Sequence, residues 1–214
     1  MSQATILCVN PLVCVFDDVF DAATAQAIIE SGHGGQTRAK VVGAFGAAEN
    51  DKRTNTQATF DQWSLPQART LCEQISDLVR LPPENCETAK VLRYEGDQKF
   101  DAHSDAYFDF LPGSQEALLS GGQRLFTTLC YLNEPDGGGE TIFPKLRISV
   151  RPRLGRVLLF SNTIPGTNTP HPHSLHAGTS VTGGVKWVMS LWWRERLYHV
   201  PRDYPEESGE MRHI

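Results

Sequence analysis

Two kinds of hydrophobic spacing divide the chain. Ala68, Leu71, Cys72, Ile75, Leu78 and Val79 recur at helical spacing until Pro82-Pro83 ends the segment, which predicts an amphipathic helix. Ser64 with Gln67 reads as a capping box ahead of it, and Pro66 suits a first turn. A shorter helix is predicted from Asp21, its cap, to about Ser31, with Ala25, Ile28 and Ile29 on one face and Gly32 as the stop. From Glu87 onward the character changes. The runs 89–94, 124–132, 148–150, 156–160 and 185–193 are β-branched or apolar and separated by Gly, Pro and Asn, which predicts short strands, and 12–16 reads as one more. Such a series fits a sandwich or barrel backed by the helices, a mainly β fold. The segment 33–56, rich in Gly, Ala and polar groups, reads as a surface loop with a short strand at 40–42, the alternative being a lid over a site. The polar residues from 194 on, with Pro201 and Pro205, read as a surface tail.

One predicted strand carries an anomaly. In 185–193 (VKWVMSLWW), Lys186, Val188, Ser190 and Trp192 share one face, and Val185, Trp187, Met189, Leu191 and Trp193 share the other. A Lys among apolar neighbours is costly to bury unless it meets an anion; the plain alternative is that it snorkels to a strand end. A second pattern lies upstream. If 99–105 is extended, His103 and Asp105 project to one side, and imidazole and carboxylate reach a single point. A second His from a distant strand completes a two-His, one-carboxylate face, whose open positions suit a non-haem Fe(II) that holds a co-substrate and O2. His176 is the best candidate, with His171 and His173, two apart in a Pro-rich loop, as rivals. The segment 106–122 follows the metal pair and includes Tyr107, Phe108, Phe110 and Leu111; it reads either as a wall of the substrate entrance or as ordinary packing.

The ordered series Tyr94-Glu-Gly96, His103-x-Asp105, Gly121-Gly-Gln-Arg124, Tyr131-Leu-Asn133, Gly138-Gly-Glu-Thr141-x-Phe-Pro144, Pro152-x-x-Gly155, Phe160, His176-Ala-Gly, Gly184-x-Lys186 and Trp192 resembles the prolyl 4-hydroxylase branch of the Fe(II)/2-oxoglutarate-dependent dioxygenases. The resemblance covers about 90–195 and, more loosely, the N-terminal third. It implies a double-stranded β-helix of jelly-roll, cupin-like form with iron at its mouth, ligated by His103, Asp105 and His176. His176 is favoured over its rivals because it stands at the family's spacing before Lys186. By the same resemblance Lys186 binds the distal carboxylate of 2-oxoglutarate, with Tyr94 and Thr141 as hydroxyl donors. Arg124 and Trp192 match positions that line the substrate approach, and Tyr107 is placed with them. The implied activity is hydroxylation of a prolyl residue in a peptide or protein, coupled to conversion of 2-oxoglutarate and O2 to succinate and CO2, with ascorbate as reductant. A free amino acid or other small metabolite is the alternative substrate, and a non-catalytic 2-oxoglutarate- or metal-binding sensor is the alternative of another class.

Bulk properties narrow the setting. With 214 residues, a single domain is expected, with 1–88 as support, 89–196 as the β-helix core and 197–214 as a polar tail. The balance of 20 Lys and Arg against 25 Asp and Glu gives a net charge of −5, and no basic stretch marks nucleic acid as a partner. No apolar run is long enough for a membrane span, and the first residues lack a basic region and are interrupted by Asn10-Pro11, so no signal peptide is expected. The five cysteines are odd in number and lack a Cys-x-x-Cys, which argues against a disulfide framework and points to a reducing compartment, the cytoplasm.

Overall fold

A computed structural model describes residues 4–43 and 46–198. The chain opens with the hairpin β1 (Ala4–Val9) and β2 (Leu12–Phe16), followed by α1 (Ala22–His33). Short strands β3 (Thr37–Arg38), β4 (Val41–Gly43) and β5 (Gly46–Ala48) precede β6 (Thr56–Phe60) and α2 (Pro66–Val79). Next come β7 (Ala89–Glu95), β8 (Phe100–His103), α3 (Pro112–Leu119) and β9 (Arg124–Tyr131). β10 (Gly137–Gly138), β11 (Thr141–Phe143), β12 (Ile148–Val150) and β13 (Val157–Ser161) follow. β14 (His176–Gly178), β15 (Val181–Gly183) and the long β16 (Val185–Arg194) complete the set.

Eight strands form one antiparallel sheet in the order β1-β2-β13-β9-β16-β7-β6-β3, and four form a second in the order β12-β11-β14-β8. The chain passes back and forth between them: β7, β9, β13 and β16 lie in the larger sheet, while β8, β11, β12 and β14 lie in the smaller. This alternation between facing sheets is a double-stranded β-helix.

Alternate residues of the large sheet serve two cores, as the two-residue period of a strand requires. Val91, Cys130, Leu159, Trp187, Met189, Leu191 and Trp193 pack outward against Ile28 of α1 and Leu71, Cys72 and Ile75 of α2. Leu92, Tyr94, Tyr131, Leu158, Phe160 and Val188 point inward and meet Phe143 and Val150 of the small sheet. Cys72 is a packing residue of the first core, and all five cysteines are free. No helix among the described residues is long and apolar enough to cross a membrane.

Four local expectations change. α1 is capped as expected, with Asp21 Oδ1 accepting the Thr24 N–H at 2.8 Å, but it runs through Gly32 to His33. Gly32 is a point of contact: a Cβ there would lie 2.7 Å from Val91 Cβ, so the missing side chain lets α1 sit against β7. The capping box at Ser64 does not form, because the Ser64 hydroxyl donates to the Asp61 carbonyl in a preceding 3-10 turn, and α2 begins after Leu65 without a side-chain cap. The segment 33–56 contains β3, β4 and β5 and sends buried Arg53 inward, so it is more than a surface loop. Arg194 is the buried end of β16 and not the start of a surface tail; the expected tail over 199–214 lies outside the described residues.

Candidate metal centre and active-site pocket

The two strand ends that meet at the rim of the small sheet bring the distant histidines together. β14 pairs antiparallel with β8 so that His176 stands opposite His103, and Asp105 follows two residues past the end of β8. His103 Nε2 lies 3.6 Å from one Asp105 carboxylate oxygen, and His176 Nε2 lies 3.6 Å from the other. One ligand atom from each residue fits within 4.8 Å of the other two, and among the described residues this is the one such cluster of three. Each ring is oriented by a carbonyl two residues back: His103 Nδ1 bonds to the Asp101 carbonyl at 2.8 Å and His176 Nδ1 to the Ser174 carbonyl at 3.0 Å. A carbonyl only accepts, so Nδ1 carries the proton and Nε2 turns its lone pair to the shared point. Burial and the neighbouring His103 push His176 down to about 4, which keeps the imidazole neutral and able to ligate. Burial alone would raise the Asp105 carboxyl, but His176 and His103 hold it well below the usual carboxylate range. Its second oxygen accepts from Thr127 Oγ1 at 2.8 Å, and Thr127 Oγ1 accepts from Asn162 Nδ2 at 2.9 Å. The donor set therefore fits a divalent metal with open positions. His171 and His173 stay outside it, with His171 Nδ1 accepting the His173 backbone N–H at 3.1 Å.

Lys186 sits 3% exposed on the inner face of β16, directly across from Tyr94 of β7. It does not snorkel. Its ammonium donates to the Gly139 carbonyl at 2.7 Å and lies 5.0 Å and 5.5 Å from the ring centres of Tyr94 and Tyr131. Burial pushes Lys186 down to about 7, against the raising influence of Glu140. Gly139 has φ +77°, and a Cβ there would stand 3.1 Å from Lys186 Cδ, so only glycine offers its carbonyl this closely. Thr141 accepts the Tyr131 hydroxyl hydrogen at 2.8 Å, which leaves its own hydroxyl hydrogen free to donate. Lys186, Tyr94, Thr141, His103, Asp105 and His176 all line one cavity of about 530 Å³.

Arg124, Trp192 and Tyr107 come together at the other end of that cavity. The Arg124 guanidinium carbon lies 4.3 Å from the Trp192 ring centre and 4.8 Å from that of Tyr107, while Nε and Nη2 bind the Glu87 carboxylate at 2.6 and 2.7 Å. Arg194 joins from behind, pairing with Glu87 at 2.8 Å and donating to the carbonyls of Ala117 and Ser120 around the end of α3. In the segment 106–122, Tyr107, Phe108 and Leu111 line the cavity, in keeping with a wall of the entrance, whereas Phe110 is 72% exposed and fits neither reading. The Gln123 side chain clamps Tyr107 by accepting its N–H and donating to its carbonyl, each at 2.8 Å.

Sequence reasoning missed Arg53, Lys40, Lys90, Glu87, Thr127 and Asn162, and named Tyr131 only as a landmark without a role. The even spacing of Lys90, Leu92 and Tyr94 on β7 is a signal that could have found Lys90, since all three line the cavity. Nothing in the polar run around Arg53 marks it.

A double-stranded β-helix that joins two histidines and a carboxylate beside a buried lysine is the architecture of a non-haem iron, 2-oxoacid-dependent oxygenase. The profile of the 2OG-Fe(II) oxygenase superfamily matches residues 89–194. The chain belongs to this superfamily, in its prolyl 4-hydroxylase family. It is 36% identical over 144 residues to a protein of Acanthamoeba polyphaga mimivirus classed as a prolyl 4-hydroxylase, covering 67% of this chain and 60% of that protein. It is 30% identical over 212 residues to the probable prolyl 4-hydroxylase 10 of Arabidopsis thaliana, covering 89% of this chain and 71% of that one. The viral collagen prolyl hydroxylase of Paramecium Bursaria Chlorella virus-1, in its 2OG complex, superposes with TM-score 0.63 at 25% identity over 85% of this chain and 95% of the other.

Proposed function

We propose that the chain is an Fe(II)- and 2-oxoglutarate-dependent hydroxylase of prolyl residues in a peptide or protein. The observation that carries this reading is the shared cavity of the His103, Asp105 and His176 cluster and the buried Lys186. His103, Asp105 and His176 would hold the iron, which would supply the oxidising chemistry when bound, with O2 consumed and 2-oxoglutarate converted to succinate and CO2 as the substrate C–H becomes C–OH. Lys186 and the Thr141 hydroxyl receive the distal carboxylate, with Tyr94 beside them. The apolar inner walls at Leu92, Leu129 and Val188 keep the reacting end dry. Arg124, Trp192 and Tyr107 form the substrate wall. Ascorbate is the reductant that keeps the iron ferrous, and the five free cysteines favour the cytoplasm.

The test is an anaerobic titration of Fe(II)-loaded protein with 2-oxoglutarate, followed by aerobic turnover of proline-containing peptides and of free proline. A weak visible charge-transfer band, then hydroxyproline matching succinate in amount, is expected. No band in iron-loaded protein rejects the co-substrate site, and a band without hydroxyproline in either substrate rejects the prolyl assignment.

Thr127 positions the Asp105 carboxylate in this scheme. Thr127→Val keeps the shape and removes the donor, and groups that orient a metal ligand typically contribute about 10–100-fold in affinity or activity. Fe(II) affinity should fall by about that factor, while Thr127→Ser retains it. Equal affinity in all three proteins would show that the hydrogen bond has no part in holding the metal.

A further inference from the structure

The pocket has the opposite charge to the protein around it. The chain carries −5, yet Lys40, Arg53, Lys90, Arg124 and Lys186 line the cavity against one carboxylate, Asp105, which belongs to the metal cluster. Two of these cations have partners or a role already. Arg124 is neutralised by Glu87 through two hydrogen bonds, and Lys186 serves the distal carboxylate of 2-oxoglutarate.

Arg53 and Lys90 do not. Arg53 is 8% exposed, and its three hydrogen bonds go to neutral acceptors: Asn55 Oδ1 at 3.1 Å, the Lys40 carbonyl at 3.2 Å and Gln57 Oε1 at 3.0 Å. Its guanidinium carbon lies 4.5 Å from the Phe100 ring centre, and it makes no ion pair with the described residues. Lys90 is half-buried on β7, in register with Ser190 of β16, and its ammonium has no hydrogen-bond or ion-pair partner among the described residues. Burial, then Arg53 and Arg124, depress Lys90, against the opposing pull of Glu87. Beside it Ser190, 1% exposed, has an unpartnered hydroxyl, and the Trp192 indole N–H on the same inner face is likewise unpartnered.

Unpaired cations and orphaned donors converging on one wall are costly unless a ligand supplies the anion. 2-Oxoglutarate is not that ligand, because Ser190 lies four residues along β16 from Lys186, about 13 Å at strand spacing. We propose that Arg53, Lys90 and Ser190 form a carboxylate-binding subsite on the substrate side of the pocket, so the preferred substrate presents a carboxylate beside the prolyl ring. This rests on the prolyl hydroxylase reading and adds its substrate class. The carboxylate belongs to an acidic residue adjoining proline in a peptide, or is the α-carboxylate of proline itself.

The experiment measures binding to the full chain loaded with Mn(II) and 2-oxoglutarate under argon, by calorimetry. The probes are proline peptides that differ only in Glu, Gln or Lys next to the proline, together with L-proline and L-prolinamide. The Glu peptide should bind about tenfold or more tighter than its Gln twin, the gap should collapse in Lys90→Gln, and Lys90→Glu should come to prefer the Lys peptide. A gap confined to L-proline over prolinamide supports the subsite with a free amino acid as the source. Equal binding across both comparisons, or a gap unchanged in Lys90→Gln, overturns the proposal. Hydroxyproline forming equally in Glu and Gln peptides under O2, with L-proline binding no better than L-prolinamide, keeps the hydroxylase reading and rejects the subsite. If hydroxyproline forms in none of them, the prolyl reading falls, and the binding gap alone decides the subsite.

Discussion

His176→Ala is expected to lose Fe(II) affinity and turnover together, each by roughly hundredfold or more, since a direct ligand matters more than the groups that orient one. The mutation removes one of three convergent donors, and no other described His, Cys, Asp or Glu belongs to the cluster. His171 and His173 cannot take its place, because the loop that carries them turns His171 Nδ1 to a backbone N–H. The effect can be read apart from unfolding. With its pKa near 4, His176 is neutral at pH 7, so its loss leaves the charge of the metal-free site unchanged. Fe(II) titration monitored beside a thermal melt of metal-free protein is the measurement, with His173→Ala as the comparison. Full iron affinity and activity in His176→Ala would remove it from the ligand set.

Lys186→Ala is expected to raise the 2-oxoglutarate requirement by about thirtyfold or more while Fe(II) affinity is largely kept. Removing one partner of a buried charge pair costs about 2–5 kcal/mol, mostly because the other charge stays buried and unpaired. The distal carboxylate would then face the Tyr94 ring and the Thr141 hydroxyl without a cation. The wild-type protein offers a second readout of the same contact. Burial holds Lys186 near 7 before the co-substrate binds, and the carboxylate needs the ammonium form. Below about pH 7 the lysine is already charged and affinity is level. Above it a proton must be taken up on binding, so affinity falls by up to about tenfold per pH unit, until the raised pKa of the complex is passed. Affinity measured from the charge-transfer band across this range should bend near pH 7 in the wild type, and the bend should vanish in Lys186→Ala. A flat wild-type profile would show that Lys186 does not meet the co-substrate.

The residues that were legible in the sequence are those whose placement follows from a local period. Strand alternation over 185–193 puts Lys186, Ser190 and Trp192 on one face and Trp187, Met189 and Leu191 on the other, and the two cores divide along that line. The His103-x-Asp105 spacing likewise brings two donors to one point, although Asp105 lies past the strand end and not within it. Short motifs misled where a neighbour outcompeted them. Ser64 found the Asp61 carbonyl closer than the helix start, and Gly32, a natural stop, faced Val91 and became a contact.

What only the tertiary structure decided is which groups are partners across the barrel. Glu87 neutralises Arg124 from 37 positions away, and Asn162 reaches Thr127 across 35, so one cation in the pocket is quenched while Arg53 and Lys90 are not. A sequence reports side-chain chemistry and the direction each residue faces along its own element. Whether a charge is paired depends on which strands lie side by side, and that follows from burying two apolar faces at once, a condition met only when the whole chain packs.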